Sequence, residues 1–395
     1  MNILVINAGS SSLKFQYINP ETKTVLIKGQ YDGINRSDFK VSLKTIISGQ
    51  KEVFEKVICS NKELIEDMFS ILVDKKIIET PEDVKFVGHR VVHGAEEYSK
   101  TTEITDQMLL HLKKISFLAP LHNPINIEFI EILKEKIPQA RHFAVFDTAF
   151  HQTIPEKIYL YSLPKELYDK FKIRKYGFHG ISHKYVSKKT AELLEKPYED
   201  LKIITCHLGN GQSICAINKG KSFDTSMGFT PVDGLPMGTR SGSFDPEIIL
   251  FLLENGYSKE QIKKMINKES GLFGISQISA DHYKIETLSI QGDAKAKLAN
   301  DILTTRIVNI VGSYIAEMNG VDVIVFTGGI GEKSAYLREL VLEHFGYLGL
   351  EVDKERNSKH SEIISTKESK VIAMVVPTNE ELEIAIETNE EIRKG

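Results

Sequence analysis

The sequence predicts a duplicated α/β protein, and three segments carry that prediction. Asn2 to Ile6 (NILVI) is a short apolar strand; it enters the turn Asn7 to Lys14 (NAGSSSLK) and leaves through Phe15 to Ile18 (FQYI). Ile203 to Ile217 (IITCHLGNGQSICAI) repeats this plan of strand, glycine-rich turn and strand. Val323 to Glu332 (VIVFTGGIGE) supplies another strand with a double-glycine exit. Small-residue turns of this kind leave backbone N–H groups exposed to an anion. The first turn adds the hydroxyls of Ser10, Ser11 and Ser12 and the charge of Lys14. A single such turn reads equally well as a plain hairpin. Three of them point to a nucleotide held between two related halves.

The intervening elements follow from periodicity. Glu63 to Val73 and Asp106 to Leu118 have helical spacing, with Leu109, Leu112 and Phe117 among the apolar positions of the second. Val84 to Val87 and His142 to Phe146 read as short strands. A long helix is expected from Ala294 to Met318, its apolar stripe formed by Leu298, Ile302, Val308, Val311 and Ile315. Another follows from Ala335 to His344, and the polar stretch Lys354 to Lys370 reads as loop-rich. The expected domains are 1–151 with a returning 382–395, and 152–381. The ligand is expected in the cleft between them.

Composition narrows the class. A chain of 395 residues is long enough for two sizeable cores. Hydrophobic residues at 41% and charged residues at 26% are the balance of a soluble globular protein. A net charge of −4 supplies no basic field for nucleic acid. The lysine-rich stretch Lys165 to Lys175 reads as a solvated surface. Cys59, Cys206 and Cys215 form no CxxC pair, and Cys206 and Cys215 sit in apolar strand text. Few, unpaired cysteines suit a reducing cytoplasm. The start reads as a strand without basic leader or cleavage site. No apolar run approaches the ~20 residues that span a bilayer.

Several residues are candidates for chemistry. Arg90 lies in GHRVVHG (Gly88 to Gly94) after a strand, and Arg240 lies in the flexible GTRSG loop (Gly238 to Gly242). The guanidinium fork suits planar oxyanions, although either arginine could form a surface ion pair. Asp147 ends a strand in FDTAFH and suits a metal ligand, a base or an N-cap equally. His89 and His93, like His179 and His183, stand four apart, but neither pair has the HExxH context of a zinc site. His179 in YGFHG reads as a hydrogen-bond donor, and His207 in HLGNG as a donor to phosphate.

In combination these motifs resemble a known family. NAGSSSLK, GHRVVHG, PLHNP, FDTAFH, YGFHG, HLGNG, GTRSG, GGIGE and PTNEE occur in the order seen in acetate kinases, from Asn7 to Glu381. The resemblance implies two ribonuclease H-like domains around an ATP cleft, as in sugar kinases, heat-shock chaperones and actin. It implies reversible transfer of the ATP γ-phosphoryl group to acetate, giving acetyl phosphate and ADP. Mg²⁺ is the implied cofactor, with Mn²⁺ as its substitute, and a homodimer is the implied assembly.

By the same resemblance, Asn7 and Glu380 belong to the metal site, and Arg90 receives the substrate carboxylate. Asp147 is the catalytic acidic residue; His179 and Arg240 stabilise the transition state. Val92, Leu121, Phe178 and Pro231 would enclose the substrate methyl. Ser10, Ser12, Lys14, the turn His207, Leu208, Gly209, Asn210 and Gly211, and the run Gly329, Ile330, Gly331, Glu332 and Lys333 would hold the nucleotide. Asp281, His282 and Tyr283 complete that set, but the family usually has Asp-Phe-Arg there. Tyr283 offers stacking without the charge of arginine. Lys333 stands where asparagine is usual.

One role is better read chemically. A carboxylate substrate ionises near pH ~4 and needs no base, so Asp147 reads as an orienter of Arg90 and an indirect metal ligand. Two alternatives remain: propionate kinase, differing by one methylene worth only ~1–3 kcal/mol, and a non-catalytic nucleotide-driven clamp.

Overall fold

The computed structural model describes residues 1–9, 11–34, 40–47 and 49–394. Ser10 therefore lies outside the described residues. The chain forms two compact units: Met1–Phe150 with Asn379–Gly395, and His151–Thr378. The first unit thus begins its returning segment at Asn379 rather than 382. The reason is local: the Asn379 side chain accepts from Leu382 N at 3.1 Å and caps the helix Glu380–Ile392, so the whole first turn goes with that helix.

Among the described residues, the first unit holds an eight-stranded mixed sheet. Its strands are β1 (Ile3–Ala8), β2 (Ser12–Asn19), β3 (Thr24–Asp32), β4 (Lys40–Ile47), β5 (Gln50–Val57), β6 (Phe86–Val91), β7 (Thr102–Glu103) and β8 (Arg141–Phe146), in the order β5-β4-β3-β2-β1-β6-β8-β7. The second unit holds a five-stranded sheet: β9 (Lys202–Leu208), β10 (Gln212–Asn218), β11 (Lys221–Thr225), β12 (Val323–Thr327) and β13 (Ile372–Val375), ordered β11-β10-β9-β12-β13.

Pairing sense shows the duplication directly. β1, β2 and β3 are antiparallel neighbours, and β1, β6 and β8 run parallel. In the second unit β9, β10 and β11 are antiparallel, and β9, β12 and β13 run parallel. Both halves therefore share one topology: three meandering strands, then two parallel strands added beyond the first.

Helices cover the sheets. In the first unit Leu64, Ile65, Met68 and Leu72 of the helix Asn61–Asp74 pack with Phe129 and Leu133 of Asn123–Lys136 over Leu4, Ile6 and Phe15. In the second, the helix Ala294–Glu317 buries Ala296, Ala299, Leu303, Ile307 and Val311 against Ile204, Ile214, Ile324 and Phe326. Of the expected stripe, Val311 and Ile315 are buried and Ile302 and Val308 half-buried, whereas Leu298 is 54% exposed. The buried apolar residues of its first turns are alanines, which periodicity counts only weakly. The helix expected through Leu118 tightens into a 3₁₀ turn at Ser116–Leu118, which rotates Phe117 out to 67% exposure. Lys354 to Lys370 contains a short helix, Lys354–Ser358, and two isolated strand bridges. The lysine-rich surface stretch ends inside the protein: Lys175 bonds Asp224 at 2.5 Å, with both side chains largely buried. Among the described residues, no helix is long and apolar enough to cross a membrane.

Candidate functional site

In open α/β sheets ligands collect beyond the carboxyl ends of the strands. In each unit the parallel strands deliver their polar residues to that edge.

In the first unit, Asn7 comes from the end of β1, Arg90 from the end of β6, and Asp147 follows β8. Asp147 N bonds Val91 O at 3.1 Å, which fixes its backbone beside β6. Arg90 donates from Nε to Asp147 Oδ1 at 3.0 Å and from Nη2 to Asp147 Oδ2 at 2.6 Å. It also donates from Nη1 to Asn7 Oδ1 at 3.0 Å. Asn7 in turn donates from Nδ2 to Glu381 Oε1 at 3.0 Å. The Asp147 side chain is 1% exposed, and that of Arg90 is 20% exposed. Burial by itself lowers the pKa of Arg90, but Asp147, Glu380 and Glu381 outweigh it and raise it above the usual arginine range. Arg90 is therefore a permanent cation held by a two-point fork.

The acidic residue tied into this network is Glu381. Glu380 is its sequence neighbour in the first turn of the same helix, and it acts on Arg90 only through its charge. The resemblance places Glu380 at the metal site. Two adjacent acids are equivalent in text, and helix phase decides which one reaches Asn7. Lys14 lies opposite Asn7 in the β1–β2 register and is exposed; Ser12 is half-buried at the start of β2. Gly9 N bonds Ser12 O at 2.8 Å and closes the turn between them. Val92 is 6% exposed, with its N–H bound to Asn126 Oδ1 at 3.1 Å, whereas Leu121 is 57% exposed.

In the second unit, His207 comes from β9 and Ser213 from β10, across the turn Gly209–Gly211, which Gly209 N closes on Gly211 O at 3.1 Å. His179 N-caps the helix Gly180–Leu193 from a left-handed conformation (φ 58°). Its ring stacks on His207 with centroids 4.4 Å apart. His179 Nδ1 and His183 Nε2 both bond Ser213 Oγ, at 2.9 and 2.7 Å. His207 Nδ1 bonds Ser182 Oγ at 2.7 Å, and that hydroxyl bonds Thr378 Oγ1 at 2.7 Å. Of the four-spaced histidine pairs, His179 and His183 share a serine, and His89 Nε2 lies 2.9 Å from His142 Nδ1. Burial pushes the His151 pKa down to about 4, and its Nε2–H donates to Phe178 O at 3.0 Å.

The nucleotide candidates divide by environment. Leu208 and Gly331 are buried, Ile330 is half-buried, and Asn210, Gly329 and Lys333 are exposed. Gly328 has φ +77°, and a Cβ there would lie 2.7 Å from Leu208 O, so only glycine fits. Glu332 Oε1 accepts from Gly328 N at 3.0 Å and Thr378 N at 3.3 Å, which ties the exit of β12 to that of β13. Its carboxylate is thus engaged in holding the loop. Asp281 N-caps the helix His282–Ile290, His282 is 4% exposed, and Tyr283 is 76% exposed.

Arg240 is half-buried, like Pro231. Its loop is clamped by Leu272 N to Met237 O at 2.9 Å and Phe273 N to Gly238 O at 3.0 Å. Its recorded side-chain bond is Nη1 to Met237 Sδ at 3.7 Å, and burial lowers its pKa. Among the described residues it forms no ion pair with a carboxylate.

The model of the acetokinase family matches residues 2–386, and the chain belongs to that family. It is 50% identical over 394 residues, 98% of each chain, to a protein of Thermoanaerobacterium thermosaccharolyticum named acetate kinase. Among solved structures, the acetate kinase of Porphyromonas gingivalis is similar at TM-score 0.92 and 41% identity, over 99% of each chain. A propionate kinase from Francisella tularensis subsp. tularensis also scores 0.92, at 43% identity, over 98% of this chain and 99% of that one.

Proposed function

We propose that this protein transfers the γ-phosphoryl group of ATP reversibly to acetate, giving acetyl phosphate and ADP. The observation that carries the reading is its chain-long likeness to acetate kinases. The site chemistry is consistent with it. Acetate is already a nucleophile at neutral pH, so Asp147 serves by holding Arg90. Three of the five N–H groups of Arg90 are committed to Asp147 and Asn7, which leaves two for a carboxylate. Arg240 and His179 serve the phosphoryl oxygens, and the turn Gly209–Gly211 serves the nucleotide phosphates. Val92 belongs to the apolar wall around the acid's methyl group.

Mg²⁺ fits the donor set of the first unit. Among the described residues, no three His, Cys, Asp or Glu side chains form a protein-only metal cage. Mg²⁺ rarely needs one, because one or two carboxylates with phosphate oxygens and water complete its shell. Glu380 and Glu381 would supply those carboxylates, with Asn7 orienting Glu381. When bound, the ion neutralises phosphate charge.

The test is a coupled assay with a series of formate, acetate, propionate and butyrate. Acetate is expected to give the highest kcat/KM, and omission of Mg²⁺ to abolish turnover. Val92→Ala should shift preference toward propionate by up to ~10-fold. Hydrolysis of ATP indifferent to every acid would overturn the reading in favour of a nucleotide clamp. Higher kcat/KM for propionate would favour the second reading, which the Francisella likeness supports.

The protein acts as a homodimer in this reading. The helix Glu247–Glu254 (EIILFLLE) buries none of its residues, and Ile248, Leu250, Phe251 and Leu253 are 44–62% exposed. Such a contiguous apolar face is costly in water and suits a second copy of the chain. Light scattering should return twice the chain mass, and Phe251→Glu should lower it toward one. A monomeric wild type would sink this assignment. A cytoplasmic location accords with the free thiols of Cys59, Cys206 and Cys215.

A further inference from the structure

His179 is one member of a longer hydrogen-bonded chain. Thr205 Oγ1 lies 2.7 Å from His183 Nδ1. His183 Nε2 lies 2.7 Å from Ser213 Oγ, which lies 2.9 Å from His179 Nδ1. Thr205, His183 and Ser213 are each 0% exposed, so water does not complete their bonding. The chain has two conceivable directions, and its buried end selects one. Among the described residues, His183 is the recorded side-chain partner of the Thr205 hydroxyl. If Thr205 accepted a proton from His183, its own O–H would be buried without an acceptor, which is unfavourable. Thr205 therefore donates to His183 Nδ1. A neutral His183 then holds its proton on Nε2 and donates it to Ser213 Oγ. Ser213 passes its hydroxyl hydrogen to His179 Nδ1.

We infer that Thr205, His183 and Ser213 form a one-way relay that pins the proton of His179 to Nε2 and holds the ring neutral. No proton moves along the relay; it fixes where each one sits. Burial, with the nearby His151 and His207 rings, pushes the pKa of His183 far below the usual histidine range, which agrees with one proton on that ring. The edge of His179 that carries Nε2 faces the glycine turn: a Cβ at Gly211 would lie 3.1 Å from both its Cε1 and Nε2. His179 thus presents a neutral N–H donor at the turn. Protonating Nδ1 would either reverse every bond of the relay and strand the Thr205 hydroxyl, or make Ser213 Oγ accept from both rings and strand its own hydroxyl hydrogen. Two titratable groups that face His179 within its own unit are His207, stacked on it, and His183, reached through Ser213.

The relay makes Thr205, His183 and Ser213 positioning residues for the phosphoryl transfer proposed above, and it rests on that reading for its functional meaning. The experiment is ¹⁵N-histidine NMR of the full-length protein across pH 5–9, with wild type beside Thr205→Val and Ser213→Ala. In wild type, His179 should carry its proton on Nε2 and become doubly protonated at a lower pH than in Thr205→Val. Thr205→Val removes the hydroxyl whose stranding opposes reversal, so the midpoint should rise toward the ordinary value. Ser213→Ala should lower kcat by about tenfold, with KM for ATP and acetate nearly unchanged. A proton on Nδ1 in wild type, or equal midpoints in wild type and Thr205→Val, would overturn the relay. The wild-type tautomer is read without relying on either variant folding. An absence of acetate-dependent turnover in wild type would instead defeat the kinase reading and leave the NMR result standing.

Discussion

Arg90→Ala is expected to remove nearly all acetate-dependent turnover and to destabilise the protein at the same time. Arg90 is the only recorded side-chain partner of Asp147 among the described residues, and it binds both carboxylate oxygens. Deleting it leaves a carboxylate that is 1% exposed without its counter-charge. Breaking a buried pair from one side costs about 3–5 kcal/mol. Turnover should fall ~10³-fold or more, the scale of an arginine at a phosphoryl-transfer site. Thermal unfolding and the coupled assay read the two effects separately. The double variant Arg90→Ala/Asp147→Asn should recover much of the stability and none of the turnover. Recovery of turnover by that double variant would show that Arg90 matters only to folding.

Arg240→Ala should show the opposite pattern. Its guanidinium is desolvated, and its recorded bond is a weak one to the Met237 sulfur. Removing it strands no buried acid, so stability should change by no more than about 1 kcal/mol. The GTRSG loop should keep its shape, because backbone bonds to the Gly271–Ser276 helix hold it. Turnover should nevertheless fall by ~10³-fold. Arg240→Lys should not restore it, since lysine has no planar fork. A loss of stability comparable to that of Arg90→Ala, with turnover largely retained, would make Arg240 a structural residue. Together the two variants separate an arginine paired with a buried carboxylate from one without a carboxylate partner among the described residues.

Much of this protein can be read from its text because glycine turns and apolar strands are local features. The β1–β2 and β9–β10 hairpins lie where residue type places them, since no distant contact is needed to choose a strand–turn–strand path. Other features depend on phase. Leu298 and Phe117 belong to apolar patterns yet face outward: in the first turns of its helix Ala296 and Ala299 are buried in place of Leu298, and a 3₁₀ turn rotates Phe117 out. Glu332 sits in a nucleotide-loop motif yet bonds two backbone N–H groups of its own unit.

Order and residue type alone dictated the doubled strand plan, the motif sequence and the candidates Arg90, Asp147, His179, His207 and Arg240, because each depends on short-range chemistry. Three-dimensional packing decided that Glu381 rather than Glu380 bonds Asn7, that Asp147 uses both oxygens on Arg90, and that Ser213 joins His179 to His183. Those pairings span 34 to 374 positions for all but the last, which spans 30. Only the folding of strand ends and helix starts to a common edge within each unit brings such distant side chains within hydrogen-bonding reach.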